Sequence, residues 1–362
     1  MNFTKILAKW YDKNKRDLPW RRTKDPYRIW VSEIILQQTR IEQGWDYYLR
    51  FLEKFPILRA LASAEEEEVL KLWQGLGYYS RARNMHAAAK EIMNLHQGIF
   101  PKTYEEIRKL KGIGDYTAAA ISSIAFGIPS PVVDGNVLRL FSRFFGIPDP
   151  VDTQKGKTAV LEKAKELISP QHPGDFNQAI MEFGALQCKP TPDCKTCPLK
   201  PGCVAFQQNR IAEFPVKSKK QRQRTRYFHY LFITVDKGKN RSVFLKKRTG
   251  NDIWKNLFDF PLIETEKAIS HKKLILSKEW NDLFSGITVT FLKESKTYRH
   301  ILTHQVIVAK FYHLEISTYS GLPFLKVAFH DVGKYPVPRL VEKYLEDQLA
   351  SWRTGELVSF FC

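Results

Sequence analysis

The sequence predicts two domains of different class: an all-α half over residues 1–213 and an α/β half over 227–362, joined by a basic linker at 214–226. Three observations carry this. Apolar residues recur at helical spacing through the first half, in stretches punctuated by glycine and proline. From Tyr227 onward, runs rich in Val, Ile, Phe, Tyr and Thr replace that pattern. Between them lies KSKKQRQRTR, Lys217 to Arg226, basic and polar without one apolar side chain, as a solvated connector would be.

In chain order, helices are expected over Trp30–Thr39, Ser63–Gln74, Ala82–Leu95, Thr103–Lys109, Asp115–Phe126 and Thr158–Ile168. Two of these starts read as capping boxes, Ser63-Ala-Glu-Glu66 and Thr103-Tyr-Glu-Glu106. In each the hydroxyl accepts from the third residue's N–H and that Glu reaches back. Breaks fall at Gly75-Leu-Gly77, Gly98, 127–131 and 148–150, which suggests short, compactly packed helices. In the second half, strands are expected over Tyr227–Val235, Ser242–Lys246, Ile287–Lys293 and Gln305–Ile316. No internal repeat is present.

At 362 residues and 43% hydrophobic, the chain has material for two cores. Its formal charge of +19 points to a polyanionic partner, nucleic acid, with affinity drawn from counterion release, rather than to plain solubility. No apolar stretch reaches 18 residues and the amino terminus has no signal-peptide pattern, so a cytoplasmic protein with reduced thiols is expected. Four of five cysteines crowd together as Cys188, Cys194, Cys197 and Cys203, spaced Cys-x5-Cys-x2-Cys-x5-Cys. Structural zinc sites usually pair their ligands across a longer spacer. This compact run with Cys197-Pro198 therefore reads as a [4Fe-4S] ligand set, with zinc and two disulfides as alternatives. Cys362 has no assigned role.

The positions with chemistry follow. Leu110-Lys-Gly-Ile-Gly-Asp-Tyr116 lies between two expected helices, a helix-hairpin-helix pattern over about 103–126. Its paired glycines permit a tight reversal, and Lys111, Gly112, Gly114 and the following helix N-terminus form a phosphate site that reads no base. Glu33 is an acid among apolar residues, with Ile29 and Leu36 on its face. Desolvation there should raise its pKa and let it hold a proton near neutrality; the bland alternative is a buried structural carboxylate. Asp134 precedes Gly135-Asn136 and can cap the next helix. Should it approach Glu33, the two would form the acid pair needed at a glycosidic bond.

On these residues, and on LPWR (18–21), DPYRIWVSEIILQQTR (25–40), GLGYYSRARN (75–84), LKGIGDYTAAAISSI (110–124), VVDGNVLRL (132–140) and NQAIMEFGALQC (177–188), the chain resembles the MutY family of adenine DNA glycosylases. That family belongs to the helix-hairpin-helix, endonuclease III-like superfamily, and the likeness runs over almost the full chain. It implies an all-α glycosylase domain with a [4Fe-4S] loop at 188–203, then a Nudix-like domain that recognises 8-oxoguanine. It implies Glu33 as the acid that protonates adenine and Asp134 as the group facing the oxocarbenium ion, with Tyr116 and Asn136 orienting Asp134 and the sugar. Arg21 and Glu182 would line the adenine pocket, and Gln38 and Tyr78 would fill the helix beside the lesion. Leu302-Thr303-His304 stands where the family usually has Phe-Ser-His, keeping a hydroxyl and an imidazole but losing the ring. The first cysteine spacing is one residue shorter than usual. Tyr116 occupies the place of the lysine of bifunctional relatives, and a phenol forms no imine, so base excision without strand cleavage is implied.

The expected activity is therefore hydrolysis of adenine from duplex DNA where it faces 8-oxoguanine or guanine. A monomer working in the bacterial cytoplasm at the nucleoid is expected. A thymine or uracil mismatch glycosylase and a non-catalytic lesion-binding module are the competing readings.

Overall fold

The computed structural model describes residues 2–218, 223–236, 241–319 and 321–353. The middle of the expected connector and Cys362 thus lie outside the described residues. The chain forms two compact units, one from residues 1–64 and 84–220, the other from 65–83 and 221–362.

The first unit is helical: α1 (Phe3–Asn14), α2 (Pro26–Leu36), α3 (Ile41–Lys54) and α4 (Leu58–Ser63) come first. Next in the chain are α5 (Glu66–Leu72), which belongs to the second unit, and α6 (Ser80–Leu95), whose first turn does too. The first unit resumes with α7 (Tyr104–Lys109), α8 (Asp115–Phe126), α9 (Gly135–Phe145), α10 (Gln154–Leu167), α11 (Pro173–Leu186) and α12 (Val204–Gln207). Helix α2 lies at the centre. Asp25 caps it by accepting from the Tyr27 N–H at 2.9 Å, Pro26 opens its first turn, and Trp30, Val31 and Ile35 are fully buried. It packs on α3 and on α8, whose Ala118, Ala119 and Ala120 are buried.

Several elements differ from expectation. Helix α2 starts four residues early and ends at Leu36, so Gln38 sits past the helix in left-handed backbone at φ 58°. The Ser63 capping box does not form. Leu58, Leu61 and Ala62 bury one face of a separate helix that ends at Ser63, and α5 begins after Glu65 with no side-chain cap. The Thr103 box forms differently from the expected exchange: Thr103 Oγ1 accepts from the Glu106 N–H and donates to Glu106 Oε2 at 2.7 Å. Helices α1, α3, α9 and α11 form where none was delineated.

The second unit holds β1 (Arg224–Val235), β2 (Ser242–Lys247), β3 (Phe258–Asp259), β4 (Leu262–Thr265), α13 (His271–Ile275), α14 (Lys278–Phe284) and β5 (Val289–Glu294). It closes with β6 (Tyr298–Ile301), β7 (Gln305–Ile316), β8 (Leu325–Ala328) and α15 (Arg339–Arg353). The sheet runs β3-β2-β1-β7-β5, with β1 and β7 parallel along their lengths and β6 an antiparallel neighbour of β7. Strand β1 starts at Arg224, so the last residues of the expected connector are sheet. Leu231, Ile233, Phe244 and Leu314 are fully or almost fully buried in its core with Trp280 and Phe284 of α14. Among the described residues no helix is long and apolar enough to cross a membrane.

One close approach sets the geometry of the helical unit. Helix α11 meets α9 at Gly184, where an added Cβ would stand 2.7 Å from Asn136 Cβ and 2.8 Å from the Asn136 carbonyl oxygen. Backbone cannot yield as a flexible side-chain tip does. Gly184→Ala should therefore destabilise the protein by roughly 1–3 kcal/mol, the usual cost of overpacking. Thermal melting checks this, and an unchanged Tm would show that the two helices separate freely.

Candidate active site

The N-terminus of α9, the hairpin ahead of α8 and the cleft-facing sides of α2 and α11 enclose a cleft of about 850 Å³. Its wall brings together Arg21, Glu33, Gln38, Gly112, Gly114, Tyr116, Asp134, Asn136 and Glu182. Lys111 is exposed on the hairpin and is not part of that wall.

Glu33 is 9% exposed and shares the wall with Ile29, Ser32 and Leu36 from its own helix. Burial raises its pKa from 4.5 to about 7, a hydrogen bond from the Tyr116 hydroxyl partly opposes the rise, and the negative charge of Asp134 adds to it. The Tyr116 hydroxyl also lies 3.3 Å from Met181 Sδ, and burial beside two acids keeps that phenol neutral.

Asp134 lives in a different environment. It is the N-cap of α9: its Oδ1 accepts from the N–H groups of Asn136 and Val137 at 2.9 and 2.8 Å, and its Oδ2 accepts from Asn136 Nδ2 at 2.8 Å. Burial raises its pKa, while these three donors work in the opposite direction by favouring the carboxylate. The cap and the expected chemical position are one residue. Asn136 is fixed in turn by Arg139, whose Nη2 donates to Asn136 Oδ1 at 2.9 Å and to the Gly184 carbonyl at 2.6 Å.

A second polar knot closes the other side. Glu182 is 1% exposed and accepts from both Arg16 and Arg21, with four guanidinium contacts between 2.6 and 2.9 Å and the Arg16 backbone N–H at 2.9 Å. Burial opposes its charge, yet these bonds hold its pKa down at about 2. Arg16 and Arg139 went unassigned on sequence. The signals were present, since Arg16 stands just before Asp17 and the LPWR block, and Arg139 lies within VVDGNVLRL.

The hairpin residue Gly112 has φ 79°, and an added Cβ would meet Asn84 Cβ at 2.5 Å. Gly114 caps α8 and an added Cβ there would meet nothing within 4 Å, so the first N–H groups of that 12-residue helix have no side-chain cap. The remaining expected site residues lie in the second unit. Tyr78 occupies a turn at φ 47° and is 48% exposed. Leu302, Thr303 and His304 form the tip between β6 and β7, where Gln223 Nε2 donates to the Leu302 carbonyl at 2.9 Å.

The cofactor expectation is corrected. Among the described residues no group of three or more His, Cys, Asp or Glu side chains could hold a metal ion. This overturns the [4Fe-4S] loop and the ligand roles expected of Cys188, Cys194, Cys197 and Cys203. The thiols border a common apolar hollow, where burial raises the pKa of Cys197 to about 11 and raises those of Cys194 and Cys203 as well. The loop is shaped instead by buried Arg143, which donates to the carbonyls of Lys189, Pro190 and Phe214 at 2.6, 2.9 and 3.1 Å.

Comparison with known proteins bears on both units. Residues 31–170 match the HhH-GPD superfamily base excision DNA repair protein model, and residues 230–347 match the NUDIX domain model. The chain is 34% identical to an adenine DNA glycosylase of Buchnera aphidicola subsp. Schizaphis graminum, over 95% of this chain and 98% of the relative. It is 39% identical to that of Buchnera aphidicola subsp. Baizongia pistaciae, over 72% of this chain and 73% of the relative. The structure of a thermostable thymine-DNA glycosylase, 29% identical, superposes with a TM-score of 0.53 over 57% of this chain and 95% of that one.

A stability measurement tests the environment of Glu33. With the folded pKa raised to about 7 from 4.5, protonation favours the native state; that stabilisation is complete below 4.5 and lost as pH rises through 7. Glu33→Gln should therefore be more stable than wild type at pH 8, with the gap closing by pH 5, in denaturant titrations. A gap independent of pH would mean that Glu33 titrates as an ordinary carboxyl.

Proposed function

Since this chain belongs to the adenine DNA glycosylase family of the HhH-GPD superfamily and is a DNA N-glycosylase of base excision repair, we propose that the Glu33–Asp134 cleft is where adenine is cut from its sugar. The observation that carries the proposal is the contrast between the two carboxyl groups. One is dry and proton-retaining; the other is supplied with three N–H donors.

Glu33, protonated near neutrality, gives its proton to the adenine ring and makes the base a neutral leaving group. The C1′–N9 bond breaks with its electron pair going to adenine, and the Asp134 carboxylate faces the cationic sugar until water adds at C1′ and its released proton restores the Glu33 acid through solvent. Asn136, held by Arg139, keeps Asp134 in place. Tyr116 offers a hydroxyl where a lyase would need an amine, so no Schiff base forms and the product is an abasic site. Arg16, Arg21 and ionised Glu182 form a rigid polar wall for the extruded base.

The N–H groups of the 112–115 turn and of α8 grip a phosphate, and the +19 charge supplies binding that weakens with salt. Extrusion costs a few kcal/mol, less at a mispair, and Gln38 and Tyr78 offset it by filling the gap. The Leu302–His304 tip reads 8-oxoguanine opposite the adenine, with residues 1–213 as the catalytic part and 227–362 as the lesion reader. The reading places the enzyme in the cytoplasm of a bacterial cell, on nucleoid DNA.

Single-turnover assays test this on duplexes carrying adenine opposite 8-oxoguanine, adenine opposite guanine, thymine opposite guanine and uracil opposite guanine. Adenine should be released and the pyrimidines retained; preferential thymine or uracil release would give the cleft to a mismatch glycosylase. Glu33→Gln should bind duplex normally and release no adenine, because the amide keeps the shape and cannot give the proton. Near-native excision by that variant would remove the general acid. His304→Ala should slow excision opposite 8-oxoguanine more than opposite guanine, with equal slowing of both marking His304 as a general contact.

A further inference from the structure

The compact unit that carries the 302–304 tip also contains residues 65–83, the segment bearing Tyr78. We infer that residues 221–353 set the position of Tyr78, with Gln74 and Tyr79 as positioning residues that clamp both ends of its turn. This rests on the reading of Tyr78 as the side chain that fills the helix beside the lesion.

The turn is one that sequence alone would not hold. Gly75 and Gly77 have φ 95° and 70°, and Tyr78, with a Cβ, has φ 47°. A side-chain-bearing residue in left-handed backbone is disfavoured and persists where its surroundings over-determine it. Two layers do so. Within the segment, Trp73 Nε1 donates to the Gly77 carbonyl at 3.2 Å. Arg81 Nη2 donates to the Leu76 and Gly77 carbonyls, and its guanidinium lies 5.1 Å from the Trp73 ring centre and 5.8 Å from that of Tyr78.

The outer layer comes from the second half of the chain, and one residue of it binds both ends of the turn. The Val337 N–H donates to Gln74 Oε1 at 3.4 Å, and the Val337 carbonyl accepts from the Tyr79 hydroxyl at 3.1 Å. Gln74 Nε2 also donates to Glu342 Oε1 at 2.9 Å. Flanking bonds extend the grip: Asn256 Nδ2 to Glu66 at 2.5 Å, Lys247 Nζ to Glu67 at 2.7 Å, and Arg83 Nη1 to the Lys255 carbonyl at 2.8 Å. Tyr79 is 1% exposed whereas its neighbour Tyr78 is 48% exposed. The same turn thus buries one ring as an anchor and presents the next.

The consequence for the reaction is that this part of the chain does two things. Through its tip it distinguishes 8-oxoguanine, and through the clamp it holds Tyr78 whatever base faces adenine. Its loss would slow excision opposite plain guanine too.

A double-mutant cycle in the full-length protein tests this. Single-turnover excision is measured opposite 8-oxoguanine and opposite guanine for Tyr79→Phe, Gln74→Met, Tyr78→Ala and each clamp variant combined with Tyr78→Ala. Each clamp variant removes more than one hydrogen bond and should slow both substrates, by roughly 3-fold or more, and add nothing once Tyr78 is alanine. Equal slowing in the presence and absence of the Tyr78 ring would overturn the clamp, as would clamp variants with wild-type rates on both substrates. An unchanged rate for Tyr78→Ala alone would remove the wedge reading and the clamp's action with it. Tyr79→Phe keeps the ring and its packing, and a melting curve confirms that the variant is folded.

Discussion

A carboxyl group kept out of water is the constraint around which the helical unit is arranged. Glu33 sits on a helix whose Trp30, Val31 and Ile35 are fully buried, so its side chain has only the cleft to face. Holding its pKa near 7 rather than 4.5 costs on the order of 3 kcal/mol of stability above pH 7. The proton-donor role proposed for Glu33 requires that expense. Tyr116 softens it with one hydrogen bond and adds no charge.

The second acid of the proposed pair sits at a helix cap. Asp134 receives two backbone N–H groups because α9 starts there, and a third donor because Asn136 is turned toward it. Asn136 holds that orientation through Arg139, which also donates to the Gly184 carbonyl on α11. The absence of a side chain at Gly184 lets α11 close on α9, and the same helix brings Met181 to Tyr116 and Glu182 to Arg16 and Arg21. Helix packing and the division of labour between two acids are one arrangement.

What could be read from the sequence was local. An acid within an apolar helix and an Asp before Gly-Asn are signals carried by a few adjacent residues, and both lie where the cleft forms. The helix over Asp115–Phe126 has its expected ends because a glycine stands on either side. Less local matters were not legible. Left-handed backbone at Gln38 and Tyr78 falls on residues whose own preference is otherwise. The Ser63 box failed because burial of Leu58 and Leu61 fixed a helix end that the capping pattern alone would have made a start. Arg16 became visible as a partner of Glu182 only across 166 residues of chain, and the kinship of residues 65–83 with the second half has no local signature. Cysteine spacing counted thiols; it did not show whether they form a metal-binding group, and among the described residues they do not.

The most direct test of the central claim is the titration of Glu33 itself. Side-chain carboxyl ¹³C labelling of glutamate, with Glu33→Gln identifying the resonance, follows that one group by NMR across pH 3–9 in the intact protein. The account predicts a midpoint near 7, moving toward lower pH in Asp134→Asn as the neighbouring charge is removed. A midpoint between about 4 and 5, as for a solvated glutamate, would contradict it.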